Sequence, residues 1–183
     1  LQKLYESQIH IIIAFEAEFI RPDYAAHVAL LAEPPSVDYF IGSVHHVHGF
    51  PIDYDKGTYA AAAGASSGGG SEEGLYEDYY DLQFDMLTAM KPRIVGHFDL
   101  IRLLSEDPGR DVRRWDGVWE RIMRNLKLVK EQSGLLECNT AALRKGLDEP
   151  YPCRGIAEVQ LPPFTHTSSR YCVLRAKAAQ GLY

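Results

Sequence analysis

The sequence predicts an α/β fold whose parallel strands carry a site at their C-terminal ends, as in a β/α barrel. Three observations carry this. Apolar, strand-like runs alternate with segments of helical period. Four of those runs end in metal-binding or hydrogen-bonding residues: the first in Glu16, the second in His45 and His46, the third in His97, the fourth in Glu137 and Asn139. Gly42, Ser43 and Gly96 stand just before the histidines, where small residues permit close backbone approach.

Taken in order, residues 1–7 read as the end of a helix, with Leu1, Leu4 and Tyr5 on one face. Residues 9–15 form the first strand. Arg21-Pro22-Asp23 makes a turn that offers Asp23 as an N-cap, and 24–32 is a short helix stopped by Pro34-Pro35. Residues 37–44 are the second strand, and 48–55 follow as an irregular loop. The stretch 60–74 is Ala-rich and then Gly/Ser-rich, which predicts a flexible surface loop. Leu75, Tyr79, Leu82, Met86 and Met90 recur at three to four residues, so 75–90 is a helix, ended by Pro92. Residues 94–98 are the third strand and 106–110 a turn. The clearest helix is 111–132, where Trp115, Val118, Trp119, Ile122, Met123, Leu126 and Val129 make one stripe. Gly134 closes it, and 135–138 is the fourth strand.

Composition bounds the function classes. A chain of 183 residues is long enough for one domain with a sizeable core. Hydrophobic residues make up 46% and charged residues 24%, ordinary values for a globular domain. The formal charge of -6, with no basic stripe, argues against a nucleic-acid surface. No apolar run approaches the roughly 18 residues of a membrane helix, and no signal-peptide pattern is visible. Cys138, Cys153 and Cys172 are few and irregularly spaced, which predicts reduced thiols in a cytoplasmic protein.

Glu16, His45 and His97 are the candidate metal set, because carboxylate and imidazole at strand ends suit zinc, iron or manganese. Strand alternation sends His46 to the other side of the chain from His45, which gives it a role in supporting the ligands or in facing the substrate. Glu18 offers a second acid. Asp99, two residues beyond His97, is placed to orient it. Asn139 offers hydrogen bonds at the fourth strand end, while Cys138 alternates away and reads as inert. Arg102, Arg144 and Lys145 are candidate phosphate binders, since guanidinium grips phosphate oxygens in bidentate fashion. There is no Ser/His/Asp arrangement, no P-loop and no GxGxxG.

An ordered series of motifs adds a resemblance. Phe15-Glu16-Ala17-Glu18-Phe19-Ile20, Ile41-Gly42-Ser43-Val44-His45-His46, Pro51-Ile52-Asp53 and Gly96-His97-Phe98-Asp99-Leu100-Ile101-Arg102 come first. Glu137-Cys138-Asn139-Thr140-Ala141-Ala142-Leu143-Arg144-Lys145-Gly146-Leu147 and Glu149-Pro150-Tyr151-Pro152 follow. Together they resemble the PHP-type histidinol-phosphate phosphatases, closest to the fungal form, over residues 1–159. The resemblance implies a distorted (β/α)7, TIM-like barrel, here partial, with a cluster of up to three divalent metals (zinc, manganese or iron). It implies hydrolysis of L-histidinol phosphate to L-histidinol and phosphate in histidine biosynthesis. It places Glu16, His45 and His97 among the metal ligands and Arg102 and Arg144 at the phosphate. It assigns no catalytic side chain apart from a metal-bound hydroxide. The family pattern also has an opening HxH strand and a closing Asp-x-His strand, neither of which is present here, and Ala14 stands where Gly is usual. Residues 160–183 form a divergent tail in which His166 lacks an Asp two residues before it. Two other readings stay open: a PHP hydrolase of another phosphoester, and a catalytically inactive fragment or interaction module. The sequence sets no oligomeric state.

Overall fold

A computed structural model describes residues 1–160 and the pair 173–174. Its main sheet is parallel throughout. Strands β1 (Ala14–Glu18), β2 (Tyr39–Ser43), β5 (Ile94–Val95), β6 (Leu135–Cys138) and β7 (Val173–Leu174) lie in that order. A small antiparallel ladder, β3 (His46–Val47) with β4 (Phe50–Pro51), follows β2. His48 (φ 54) and Gly49 (φ 79) form its two-residue turn; both central residues have positive φ, as a twist-matched hairpin requires. Among the described residues the sheet is open, with β1 and β7 at its edges and no ladder closing it into a barrel.

The helices are α1 (Gln2–Tyr5), α2 (Tyr24–Ala32), α3 (Lys56–Gly64), α4 (Glu72–Met90), α5 (Asp116–Glu131), α6 (Ala141–Arg144) and α7 (Arg154–Gln160). Helix α4 packs on α5, α2 and β2. It buries Tyr76, Tyr79, Tyr80, Met86 and Leu87, and α5 answers with Val118, Ile122, Leu126 and Val129. The helix expected over 111–132 begins at Asp116, after a 3-10 turn at Val112–Arg114, so Trp115 stands before it in extended backbone. The rest of the stripe holds except at Met123, which is exposed, while Asn125 is buried and donates to the Tyr80 carbonyl (2.7 Å) and to Gln83 Oε1 (3.1 Å). Arg121 and Arg124 both reach Asp81 across the same helix pair (2.9 and 2.8 Å).

Three further expectations are corrected. The first strand begins at Ala14, not at residue 9. Asp38 Oδ2 accepts the Ile13 N–H at 2.7 Å, and Ile9, Ile12 and Ile13 are exposed. A side chain ends the ladder there, so an apolar run is not a strand. Second, Ala60 to Gly64 belongs to helix α3. Alanine is the best helix former, and Asp55 and Thr58 close a capping box at its start. The turn that follows is tied down, with Ser67 donating from N (2.9 Å) and Oγ (2.5 Å) to Asp78. Ser71 then caps α4 through the Gly74 N–H. Third, Asp23 makes no cap bond to α2; its carboxylate is taken by Arg21 Nε at 2.8 Å. Of residues 160–183, Gln160 at the end of α7 and the pair in β7 are described; the rest of the expected tail, His166 and Cys172 included, lies outside the described residues.

Candidate metal centre

Three neighbouring strands deliver the site. In β1 the side chains alternate: Ala17 is buried in the core, while Glu16 and Glu18 project from the other face. Register places Glu16 beside Ile41 and Gly42 beside Val95, so the ends of β1, β2 and β5 come level. His45 follows β2 by two residues and His97 follows β5 by two. Gly96 makes this convergence possible, because a Cβ there would stand 2.5 Å from Ser43 Oγ and 3.0 Å from Ile41 Cγ2. His97 itself adopts φ 24, a positive value that non-glycine residues rarely take and that clusters at functional sites.

Glu16, His45 and His97 each offer a ligand atom, and these atoms lie within 4.8 Å of one another. His97 Nε2 is 3.0 Å from Glu16 Oε1, and His45 Nε2 is 3.6 Å from the same oxygen. Ser43 Oγ donates to that oxygen at 2.8 Å. The two imidazoles are tilted at 57° with centroids 4.7 Å apart. The hydrogen bond from His97, with help from Ser43, holds the Glu16 carboxyl down to about 2. Burial, followed by the neighbouring His97, lowers the pKa of His45, so its imidazole favours the neutral form that ligates metal. One carboxylate and two imidazoles are a donor set for zinc, iron or manganese.

A second layer surrounds these groups. Glu18 Oε1 pairs with His46 Nδ1 and lies 3.9 Å from His45 Nδ1, so His46 joins the rim through Glu18. Glu137 is buried; its Oε2 accepts the His97 N–H (3.1 Å) and Asn139 Nδ2 (3.0 Å). Asn139 also accepts from the Ala141 N–H through Oδ1 and pairs by backbone with Tyr151. Asp53, just beyond β4, acts electrostatically on His45. Strand alternation and the carboxylate within an apolar run were the signals for Glu137. Ser43 and Tyr151 carried none, since only the fold brings them to this place.

The remaining candidates sit differently. Asp99 does not orient His97 by a hydrogen bond; its Oδ2 accepts from Arg102 Nε (3.0 Å) and from the Cys153 N–H (2.8 Å). Arg102 is buried, and its Nη2 donates to the carbonyls of Glu149 (2.7 Å) and Pro150 (2.6 Å). Arg144 is exposed in the last turn of α6, and among the described residues no hydrogen bond or ion pair ties it to the cluster. Burial pushes the Cys153 thiol up to about 12, which makes it unreactive at neutral pH. Among the described residues no helix is long and apolar enough to cross a membrane.

Comparison with known proteins gives three findings. The PHP domain family matches residues 1–141. Two curated yeast proteins are similar. One, from Schizosaccharomyces pombe and named "Probable histidinol-phosphatase", is 36% identical over 162 residues, which is 88% of this chain and 52% of that protein. The other, from Saccharomyces cerevisiae and named "Histidinol-phosphatase", is 32% identical over 139 residues, which is 65% of this chain and 41% of that protein. A crystal structure from Listeria monocytogenes, described as the "putative histidinol phosphatase hisK", superposes with a TM-score of 0.70 at 26% identity. It covers 87% of this chain and 62% of that one. The chain thus spans about half the length of the curated relatives it matches.

Proposed function

The chain belongs to the PHP domain family, and on that premise we propose that it serves hydrolysis of a phosphomonoester, L-histidinol phosphate, at a divalent-metal centre. Glu16, His45 and His97 hold the metal. The observation that carries this reading is the meeting of their donor atoms within 4.8 Å at the ends of adjacent parallel strands. The substrate comes from the names of the yeast relatives. The open sheet is read as part of a distorted (β/α)7 barrel, and zinc, manganese or iron is the ion that the donor set fits.

Once bound, a divalent cation supplies Lewis-acid polarisation of the phosphoryl group and a nucleophile at neutral pH. The chain's own residues do the rest. Glu16 stays ionised and keeps its charge on the shared ligand position. Ser43 fixes the carboxylate in place. Glu18 orients His46, whose imidazole is suited to act as general acid toward the departing alkoxide. His46 and Asn139 face the substrate, and the exposed Arg144 guanidinium is suited to grip phosphate oxygens.

The test is phosphate release from L-histidinol phosphate and from other phosphomonoesters by the purified chain with manganese or zinc. Release that prefers L-histidinol phosphate and disappears in His97→Ala supports the reading. Preference for another ester keeps the chemistry and moves the substrate. Bound metal with no release from any ester overturns the reading and leaves an interaction module.

A further inference from the structure

Among the described residues, His97 Nδ1 has no hydrogen-bond partner of the kind that ordinarily fixes a metal-binding imidazole. Such a ring usually donates its second nitrogen to a carboxylate or carbonyl, and that bond sets its orientation. Here His97 Nδ1 is buried and has no hydrogen-bond partner among the described residues. Apart from the Nε2 contact with Glu16, its ring is held by contacts with other rings. His45 lies 4.7 Å away between centroids, and Tyr151 makes a T-shaped contact with it at 79° with centroids 6.4 Å apart.

Tyr151 is in turn held from two directions. Its backbone exchanges hydrogen bonds with Asn139 in both directions (2.8 and 3.0 Å). The Arg102 guanidinium carbon lies 5.0 Å from the centroid of its ring. Arg102 also draws in the segment just before it, through the carbonyls of Glu149 and Pro150. Asp99 completes the fastening: one carboxylate oxygen bonds Arg102 on one side and the Cys153 N–H on the other. The segment 149–153 is therefore pinned at both ends by one buried ion pair, with Tyr151 between the pins.

We propose that Arg102 is a positioning residue that sets the His97 imidazole through Tyr151, and that it does not contact the phosphate. This rests on the metal-centre reading above. It differs from the phosphate-binding role that the family resemblance implies. The Nε and Nη2 donors of Arg102 are committed to Asp99 and to two carbonyls, and the residue is 6% exposed. Lysine keeps the charge and cannot reproduce that fork.

Arg102→Lys, Tyr151→Leu and Tyr151→Phe, each in the whole chain, form the test. Cobalt affinity is measured by competition, and inorganic phosphate affinity by calorimetry at saturating metal. The proposal expects Arg102→Lys and Tyr151→Leu each to lower cobalt affinity about 10-fold or more, the range of outer-layer ligand supports. It expects phosphate affinity in Arg102→Lys to stay within about twofold of the parent, and Tyr151→Phe, which keeps the ring edge, to bind metal normally. Lower phosphate affinity with unchanged cobalt affinity in Arg102→Lys overturns it. So does unchanged cobalt affinity in Tyr151→Leu. Imidazole nitrogen resonances of His97 in metal-free protein decide the matter independently. A shift in Arg102→Lys and Tyr151→Leu but not in Tyr151→Phe supports the proposal, and no shift overturns it. If the parent chain binds no metal, the metal-centre reading fails, while these resonances still judge the positioning of His97.

Discussion

His97 Nε2 lies 3.0 Å from Glu16 Oε1, although 81 residues separate the two in the chain. Glu16 projects from the middle of β1 and His97 follows the end of β5, with β2 between them. The contact follows from strand order, and it gives the cluster its geometry before any ion arrives.

The ligand set predicts how mutations act on metal binding. Glu16→Gln, His45→Ala and His97→Ala each remove a donor. Each lowers zinc or manganese affinity beyond the roughly 10–100-fold expected for loss of an outer-layer support. Asp78→Asn, which touches His48 and Ser67 away from the cluster, leaves it unchanged. Competition with a chelating dye checks both.

The response to pH follows from two shifts. Glu16 stays ionised down to about 2, so it does not limit metal binding in mild acid. The His45 imidazole does: metal affinity falls as acid protonates it, because protons compete for the ligating nitrogen. Lowering of the His45 value moves that fall further into acid. Without metal, Glu16 has a folded value of about 2 against an ordinary 4.5. It therefore contributes stability that is present above 4.5 and is lost as pH falls through about 2. Acid titration of unfolding in Glu16→Gln, compared with the parent, measures that part.

Gly96→Ala tests the close approach of β5 to β2. A methyl group there meets Ser43 Oγ at 2.5 Å and Ile41 Cγ2 at 3.0 Å. Overpacking of this kind costs about 1–3 kcal/mol, and here it also pushes Ser43 away from Glu16. Urea unfolding gives the first effect and metal affinity the second; both decrease.

The start of α3 carries its own prediction. Asp55 accepts the Thr58 N–H at 2.8 Å. Asp55→Ala destabilises the chain by about 0.5–2 kcal/mol and leaves metal affinity unchanged. Thermal and urea unfolding test the first part, and dye competition the second.

The meeting of Glu16, His45 and His97 was legible in the sequence because each follows an apolar run, and parallel strands present their C-terminal ends together. The helix over α5 and the strand at β6 were legible for the same local reason, since their patterns are periodic and their stops clear. Residues 9–13 misled because apolarity alone does not distinguish a paired strand from a run beside one. Residues 60–64 misled because alanine carries no amphipathic pattern, although Asp55 and Thr58 had announced a helix start. Arg102 and Asp99 were read by type and offset. Their partners, Glu149, Pro150 and Cys153, lie 47, 48 and 54 residues away, and no local pattern encodes such contacts.

Whether Glu16, His45 and His97 form one metal centre is decided by elemental analysis of the purified chain beside a Glu16→Gln, His97→Ala double variant with an unchanged circular-dichroism spectrum. At least one zinc, manganese or iron ion per parent chain is expected, with near-complete loss in the variant. A parent chain without metal, or a variant that keeps it, rules the shared centre out.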